Sequence, residues 1–216
     1  MIERNNRRQT PALKRGAPSI PEKPKFLIVC EGKNTEPSYF NKFKLSTATI
    51  KAVGKGFNTK SLVEWAVELS KEDNYNQIWC VFDKDDCPDN DFNDAITNAE
   101  NAGFKAAYSN QAFEYWILLH LKDHQGDPMH RNDYKVKINE LLKPFNLTYD
   151  SDGRKLITDD IFEFLLGINQ TESKTRQEIA INRAKRNYNK FDHKNRAREE
   201  SSTTIFNLVE ELNRYI

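Results

Sequence analysis

Between Lys25 and Leu121, short apolar runs alternate with longer stretches in which apolar residues recur at helical spacing. The first run, "KFLIVC" at 25–30, is continuous, as in a strand covered on both faces. Glu36-Pro37 then opens a helix expected to reach about Leu45, with Thr35 as its cap and proline at an early helical position. "ATIKAVGKG" reads as a second strand ending in a Gly-x-Gly turn, and Leu62, Val63, Ala66, Val67 and Leu69 place a helix from Thr59 to about Lys71. A third strand covers 77–82. Asp91 to Asn101 forms a helix stopped by Gly103, "FKAAYS" a fourth strand, and "AFEYWILLHL" a strongly apolar fourth helix. A βαβαβαβα order calls for a parallel sheet with helices on both faces.

Beyond Gly126 the pattern turns helical, at about 132–143, 159–167, 172–190 and 203–216, with no strand expected. The expected organisation is a disordered basic arm over 1–24, an α/β core of about four strands over 25–125, and a helical part over 126–216 packed on that core. The arm holds four prolines and mostly polar residues, so it offers a core almost nothing. A chain of 216 residues buries a real core without disulfides. No apolar run approaches the roughly 20 residues of a spanning helix, and the basic N-terminus lacks the apolar stretch of a signal peptide. Cys30, Cys80 and Cys87 show no zinc-binding spacing and fit a reducing compartment. The expected location is the cytoplasm, with no membrane partner.

The net charge of +1 conceals segregation: residues 183–198 hold seven Lys/Arg against one Asp, while residues 83–100 hold seven Asp/Glu against one Lys. In the basic stretch, Arg183, Lys185, Arg186, Lys190, Lys194, Arg196 and Arg198 interleave with Tyr188 and Phe191. Such a stretch can neutralise the phosphates of DNA or RNA while its aromatics stack or anchor. The competing reading is a solvated helix face with both aromatics at the edge of the core.

Two apolar runs end on acids: strand 1 meets Glu31, and strand 3 meets Asp83, Asp85 and Asp86. In an open parallel sheet, ligands bind beyond the carboxyl ends of the strands, so Glu31 and Asp83 are expected to open onto one crevice. If strand geometry continues, Asp83 and Asp85 face one side and Lys84 the other, with Asp86 as a further ligand. Crowded carboxylates repel unless a cation lies among them, and an all-oxygen site suits Mg²⁺ or Mn²⁺ and phosphate chemistry. Glu31 is a candidate metal ligand or general base. Lys33 is a candidate phosphate contact, and each acid alone has the competing reading of a turn or helix cap. No GxxxxGK[ST] loop occurs. A receiver domain needs paired acids after strand 1, and haloacid-dehalogenase phosphatases carry Asp-x-Asp there, so neither matches. His120 and His124 have a metal-binding spacing but no third ligand in the sequence.

The segments "VCEGKNTE", "VFDKDD" and "SNQAFEYWILLH", with a weaker echo in "SSTTIFNLVEEL", resemble the RloB-like family, whose core is similar to TOPRIM domains. The resemblance spans about residues 25–121. It implies a TOPRIM-like sheet, Glu31 as the glutamate after the first strand, and Asp83 and Asp85 as the metal-binding Asp-x-Asp pair. Ser109, Asn110 and Glu114 follow as substrate-site residues, although Gln111 stands where relatives often have proline. The implied function is a metal-dependent nuclease effector of anti-phage defence by abortive infection, cutting DNA or RNA. Its alternative is a non-catalytic module that binds nucleic acid or docks onto a restriction-modification subunit or a separate ATPase. Oligomeric state stays open.

Overall fold

Strand β1 (Lys25–Cys30) lies inside a four-stranded sheet and sends alternate side chains to opposite faces. Leu27 and Val29 enter a core with α2 (Thr59–Ser70) and α3 (Asp89–Asn101), while Phe26, Ile28 and Cys30 enter a larger core on the other face. Burial on both faces is why the run is continuously apolar. The computed structural model describes residues 23–56 and 59–216; the arm expected over 1–24 lies outside them except for Lys23 and Pro24.

β2 (Thr49–Gly54), β1, β3 (Gln77–Asp83) and β4 (Lys105–Ser109) form an all-parallel sheet in the order β2-β1-β3-β4. After β1 the chain enters α1 (Thr35–Phe40) on the large-core face; after β3 it enters α3 on the opposite face. The winding therefore reverses between β1 and β3, and a crevice opens at their carboxyl ends.

The large core also takes in α4 (Glu114–Leu121), α5 (Arg131–Leu142), α6 (Asp159–Leu166), α7 (Arg176–Tyr188) and α8 (Ile205–Asn213). Residues from Phe26 to Leu212 thus share one buried cluster. Burial pushes the Cys80 thiol up to about 12 and raises Cys30 well above its ordinary value, so neither is reactive.

Several expectations change. α1 ends at Phe40 rather than Leu45, because the chain turns at Asn41, whose amide clasps the Ala52 backbone of edge strand β2 from both sides (2.9 and 3.1 Å). Asn34, not Thr35, holds the N-cap position; Thr35 lies within the first turn and gives its hydroxyl to the Lys155 carbonyl at 2.8 Å. α3 begins at Asp89, not Asp91. Where no strand was expected, two-residue strands β5 (Ile168–Asn169) and β6 (Lys174–Thr175) form an antiparallel hairpin. Thr175 and Glu178 then close a reciprocal capping box that starts α7 at Arg176, later than the expected 172.

At the other edge of the sheet, the carboxyl end of β4 is covered. Thr203 bridges Ser109 in antiparallel fashion, the Asn110 N–H donates to Ser202 O at 2.8 Å, and the Thr204 N–H donates to Tyr108 O at 2.8 Å. Ser201, Ser202, Thr203 and Thr204 are all buried there, which gives the "SSTT" echo its role: it covers an edge that would otherwise present unpaired backbone groups.

Candidate active site at the carboxyl ends of β1 and β3

The crevice at the winding reversal is where Glu31 and Asp83 meet. The Asp83 N–H donates to Glu31 Oε2 at 3.2 Å, and the Thr59 hydroxyl donates to Oε1 at 3.2 Å. Burial lifts the Glu31 carboxyl above its ordinary value, and these two donors oppose the lift. Asp83 is raised well above the carboxylate range by burial first, then by Glu36, Glu114 and Glu31. Its Oδ1 is buried without a hydrogen-bond partner.

Glu36 is the site residue that the sequence reading missed. In the sequence it reads as a helix opener, yet it is 3% exposed and faces the other acids. Loop 31–34 folds back so that the Gly32 N–H donates to Glu36 Oε1 at 3.2 Å. A Cβ at Gly32 would lie 2.3 Å from the Glu36 carboxylate, so a side chain there would displace that carboxyl from its present place. Burial, with Glu114 and Glu31 nearby, pushes Glu36 up to about 7. The available signal was a second glutamate in the first helical turn after a strand that already ends on Glu31.

Glu114, at the start of α4, is buried and accepts from the Tyr149 hydroxyl at 2.9 Å; Lys155 Nζ lies 3.7 Å away. Glu36, Asp83 and Glu114 line a cavity of about 130 Å³ with Lys33, Arg131 and Lys155. Glu31 borders a neighbouring cavity of about 330 Å³ with Asp85, Asp86 and Asp91. A larger cavity of about 840 Å³, around Phe43, Leu156, Phe162 and Leu166, holds none of these carboxylates.

The strand alternation expected to align Asp83 with Asp85 stops at Asp83. Asp85 takes a left-handed backbone (φ 41°), its N–H donates to Gln111 O at 2.9 Å, and its carboxylate pairs with Arg131 while Oδ1 stays buried and unpartnered. Asp86 is exposed at the rim of the second cavity. Lys84 turns away, donating to the Cys87 carbonyl at 2.5 Å and lying 3.5 Å from Asp89.

Ser109 and Asn110 line neither cavity. Ser109 Oγ lies 2.9 Å from Thr203 Oγ1, and Asn110 donates to the Arg196 carbonyl at 2.6 Å, so both fasten the C-terminal segment to β4. Gln111 has φ 69°, a conformation that proline, locked near −65°, does not reach. His120 is buried in the large core with Nδ1 2.9 Å from Trp116 O, apart from His124, whose ring packs edge-on against Tyr115.

Each cation of the basic stretch has a partner within the chain. Arg183 binds Glu172, Lys185 binds Glu210, Arg186 binds Asp123, Lys194 binds Asp192, and Lys190 donates to the Gln125 carbonyl. Arg196 lies 3.3 Å from Glu100 and Arg198 2.8 Å from Asp89, so the basic segment docks partly onto the acidic one. Tyr188 stacks on His193 with centroids 3.8 Å apart.

Among the described residues, no three His, Cys, Asp or Glu side chains converge at metal-ligating spacing. The chemistry of the donor set nevertheless fits a hard divalent cation: oxygen ligands only, mutual repulsion among Glu31, Glu36, Asp83 and Glu114, and a buried Asp83 oxygen with no partner.

The fold is thus an α/β protein whose acids gather at the winding reversal of a parallel sheet. The RloB-like protein family model matches residues 26–212, so the chain belongs to the RloB-like family, which associates it with restriction and defence. No curated protein and no solved structure matches the chain. Among the described residues, no helix is long and apolar enough to cross a membrane.

Proposed function

We propose that this protein is a divalent-metal-dependent nuclease of phage defence, acting on DNA or RNA phosphodiesters. The observation that supports it most is the crowding of Glu31, Glu36 and Glu114 about Asp83 at the reversal point, close enough to raise its carboxyl though not drawn together at ligating distance, with one Asp83 oxygen buried and unpartnered. Glu31 and Asp83 would hold Mg²⁺ or Mn²⁺, with Glu36 or Glu114 completing the set; Asp85 and Asp86 border the adjoining cavity and would serve a second cation. The bound ion would supply Lewis-acid polarisation of a phosphoryl oxygen and a lowered pKa for water. Where Glu114 completes the set, Glu36 beside it would be the carboxyl placed to take and return a proton. Gly32 keeps the loop close enough for its N–H to orient that carboxyl.

Contact with nucleic acid through residues 183–198 would exchange the internal partners of these cations for phosphates. A partner ATPase or restriction-modification subunit fits the family association.

The test is incubation of purified protein with labelled plasmid, single-stranded DNA and total RNA, with Mn²⁺ or EDTA. Cleavage with Mn²⁺ and none with EDTA is expected. Asp83→Asn and Glu31→Gln should each lower the rate at least about 100-fold, the scale at which loss of a metal-positioning group shows, while the proteins stay folded. An Asp83→Asn protein that cuts at the wild-type rate would sink the mechanism. Binding without cleavage under every condition would favour a docking module.

A further inference from the structure

We infer that Arg131 and Lys155 form the anion seat of the site, holding a substrate phosphate over the carboxylate floor. The inference rests on the proposed metal-dependent reading and adds the residues that would receive the substrate. Both come from the helical part of the chain, Arg131 as the first residue of α5 and Lys155 from the loop before α6, yet both reach the cavity floored by Glu36, Asp83 and Glu114. Neither is sealed in: their side chains are 31% and 46% exposed, so an incoming anion can meet them.

Lys155 is held far more firmly than a neutralising lysine requires. Its backbone is left-handed (φ 52°), its N–H donates to Asp150 Oδ1 at 2.7 Å, and its carbonyl accepts from Thr35 Oγ1 at 2.8 Å. Asp150 is in turn anchored by Lys135 Nζ at 2.7 Å. A non-glycine residue in that region carries strain that surrounding contacts must sustain, a feature concentrated at ligand sites. What this bracing secures is only a long 3.7 Å approach to Glu114.

Arg131 uses Nη1 on one oxygen of Asp85, and a guanidinium has five donors in a planar fork that suits phosphate. An acidic floor repels a phosphate unless cations intervene. A divalent ion on the floor, with Arg131 and Lys155 above it and Lys33 at the exposed rim, would balance both charges within one cavity of about 130 Å³, a size for a small tetrahedral group. With a cation held by the floor carboxylates, the donors that Arg131 does not spend on Asp85 would be available to phosphate.

The experiment is calorimetric titration of inorganic phosphate into the full chain with Mg²⁺ present, comparing wild type, Arg131→Met, Lys155→Met and Arg131→Lys, with Lys137→Met, whose ammonium pairs with Glu140 and lines neither cavity, as control. Phosphate affinity should fall at least ten-fold in the two Met variants and less in Arg131→Lys, while Lys137→Met matches wild type. Mg²⁺ affinity, titrated separately, should be unchanged or tighter in Arg131→Met because a competing cation has gone. Unchanged phosphate affinity, or Mg²⁺ affinity that drops along with it, overturns the seat in favour of a prop for the apo acids. Arg131→Lys keeps the charge and guards against a Met variant that does not fold, which its melting curve would reveal. A protein that binds phosphate through Arg131 but cuts no nucleic acid would retain the seat and lose the nuclease reading; cutting with unchanged kcat and KM in Arg131→Met would do the reverse.

Discussion

With its carboxyl enclosed by loop 31–34 and pushed up to about 7, Glu36 binds a proton near neutrality in the metal-free protein. The unfolded chain releases that proton at about pH 4.3. The folded state therefore binds the extra proton between these values, and this group's contribution to stability declines as pH rises from about 4.3 to about 7. Glu36→Gln keeps an acceptor for the Gly32 N–H and removes the charge. It should stabilise the metal-free protein at pH 8 by on the order of 1–3 kcal/mol and leave it unchanged at pH 4, read from urea midpoints; equal midpoints at pH 8 would mean that the carboxyl is not crowded. Glu31 and Asp83 were legible because an acid ending a buried apolar strand is conspicuous. Glu36 was hidden behind an ordinary role, since a glutamate in a first helical turn already has a reason to be there. Arg131 and Lys155 carry no local mark, because only tertiary packing brings them to strands laid down far earlier in the chain.

The central strands β1 and β3 were legible as elements because burial on both faces keeps them apolar, whereas the edge strand β2 leaves Thr49 and Lys51 exposed. Their flanking structure was less so. Phe43 continues the apolar period of α1, but it packs into the core from a turn after the helix has ended at Phe40. The capping box at Thr175 and Glu178 was available in the sequence as T-x-x-E, and would have put the start of α7 at Arg176. The β4 edge yields a prediction at this scale. The Thr203 hydroxyl lies 2.9 Å from Ser109 Oγ and donates to Tyr108 O at 3.0 Å, all in buried surroundings. Thr203→Val keeps the shape and removes the partner of Ser109 Oγ, while Tyr108 O keeps the Thr204 N–H, so it should cost about 1–3 kcal/mol, seen as a lower urea midpoint with an unchanged slope.

Across the whole molecule, opposite charges that lie apart in the sequence meet in space at Arg196–Glu100 and Arg198–Asp89. Sequence alone shows segregation and not which segment answers which, so a basic run invites an external partner even where an internal one exists. The two roles separate by salt dependence. Reversing Lys185, Arg186 and Lys190 to glutamate should flatten the plot of log affinity for duplex DNA against log salt by roughly 0.9 per lost phosphate contact, measured by fluorescence anisotropy. An unchanged slope would return the three to their places beside Glu210, Asp123 and the Gln125 carbonyl. The seal on β4 has one more consequence, in the order of synthesis. Glu31, Glu36, Asp83 and Glu114 leave the ribosome first, while the residues that cover the end of β4, 202–204, follow well after them. At roughly 5–20 residues per second, a nascent chain spends several seconds with its acids made and its sheet unsealed. A chain aborted in that interval lacks the edge cover and α8, so β4 would present unpaired backbone groups to other chains.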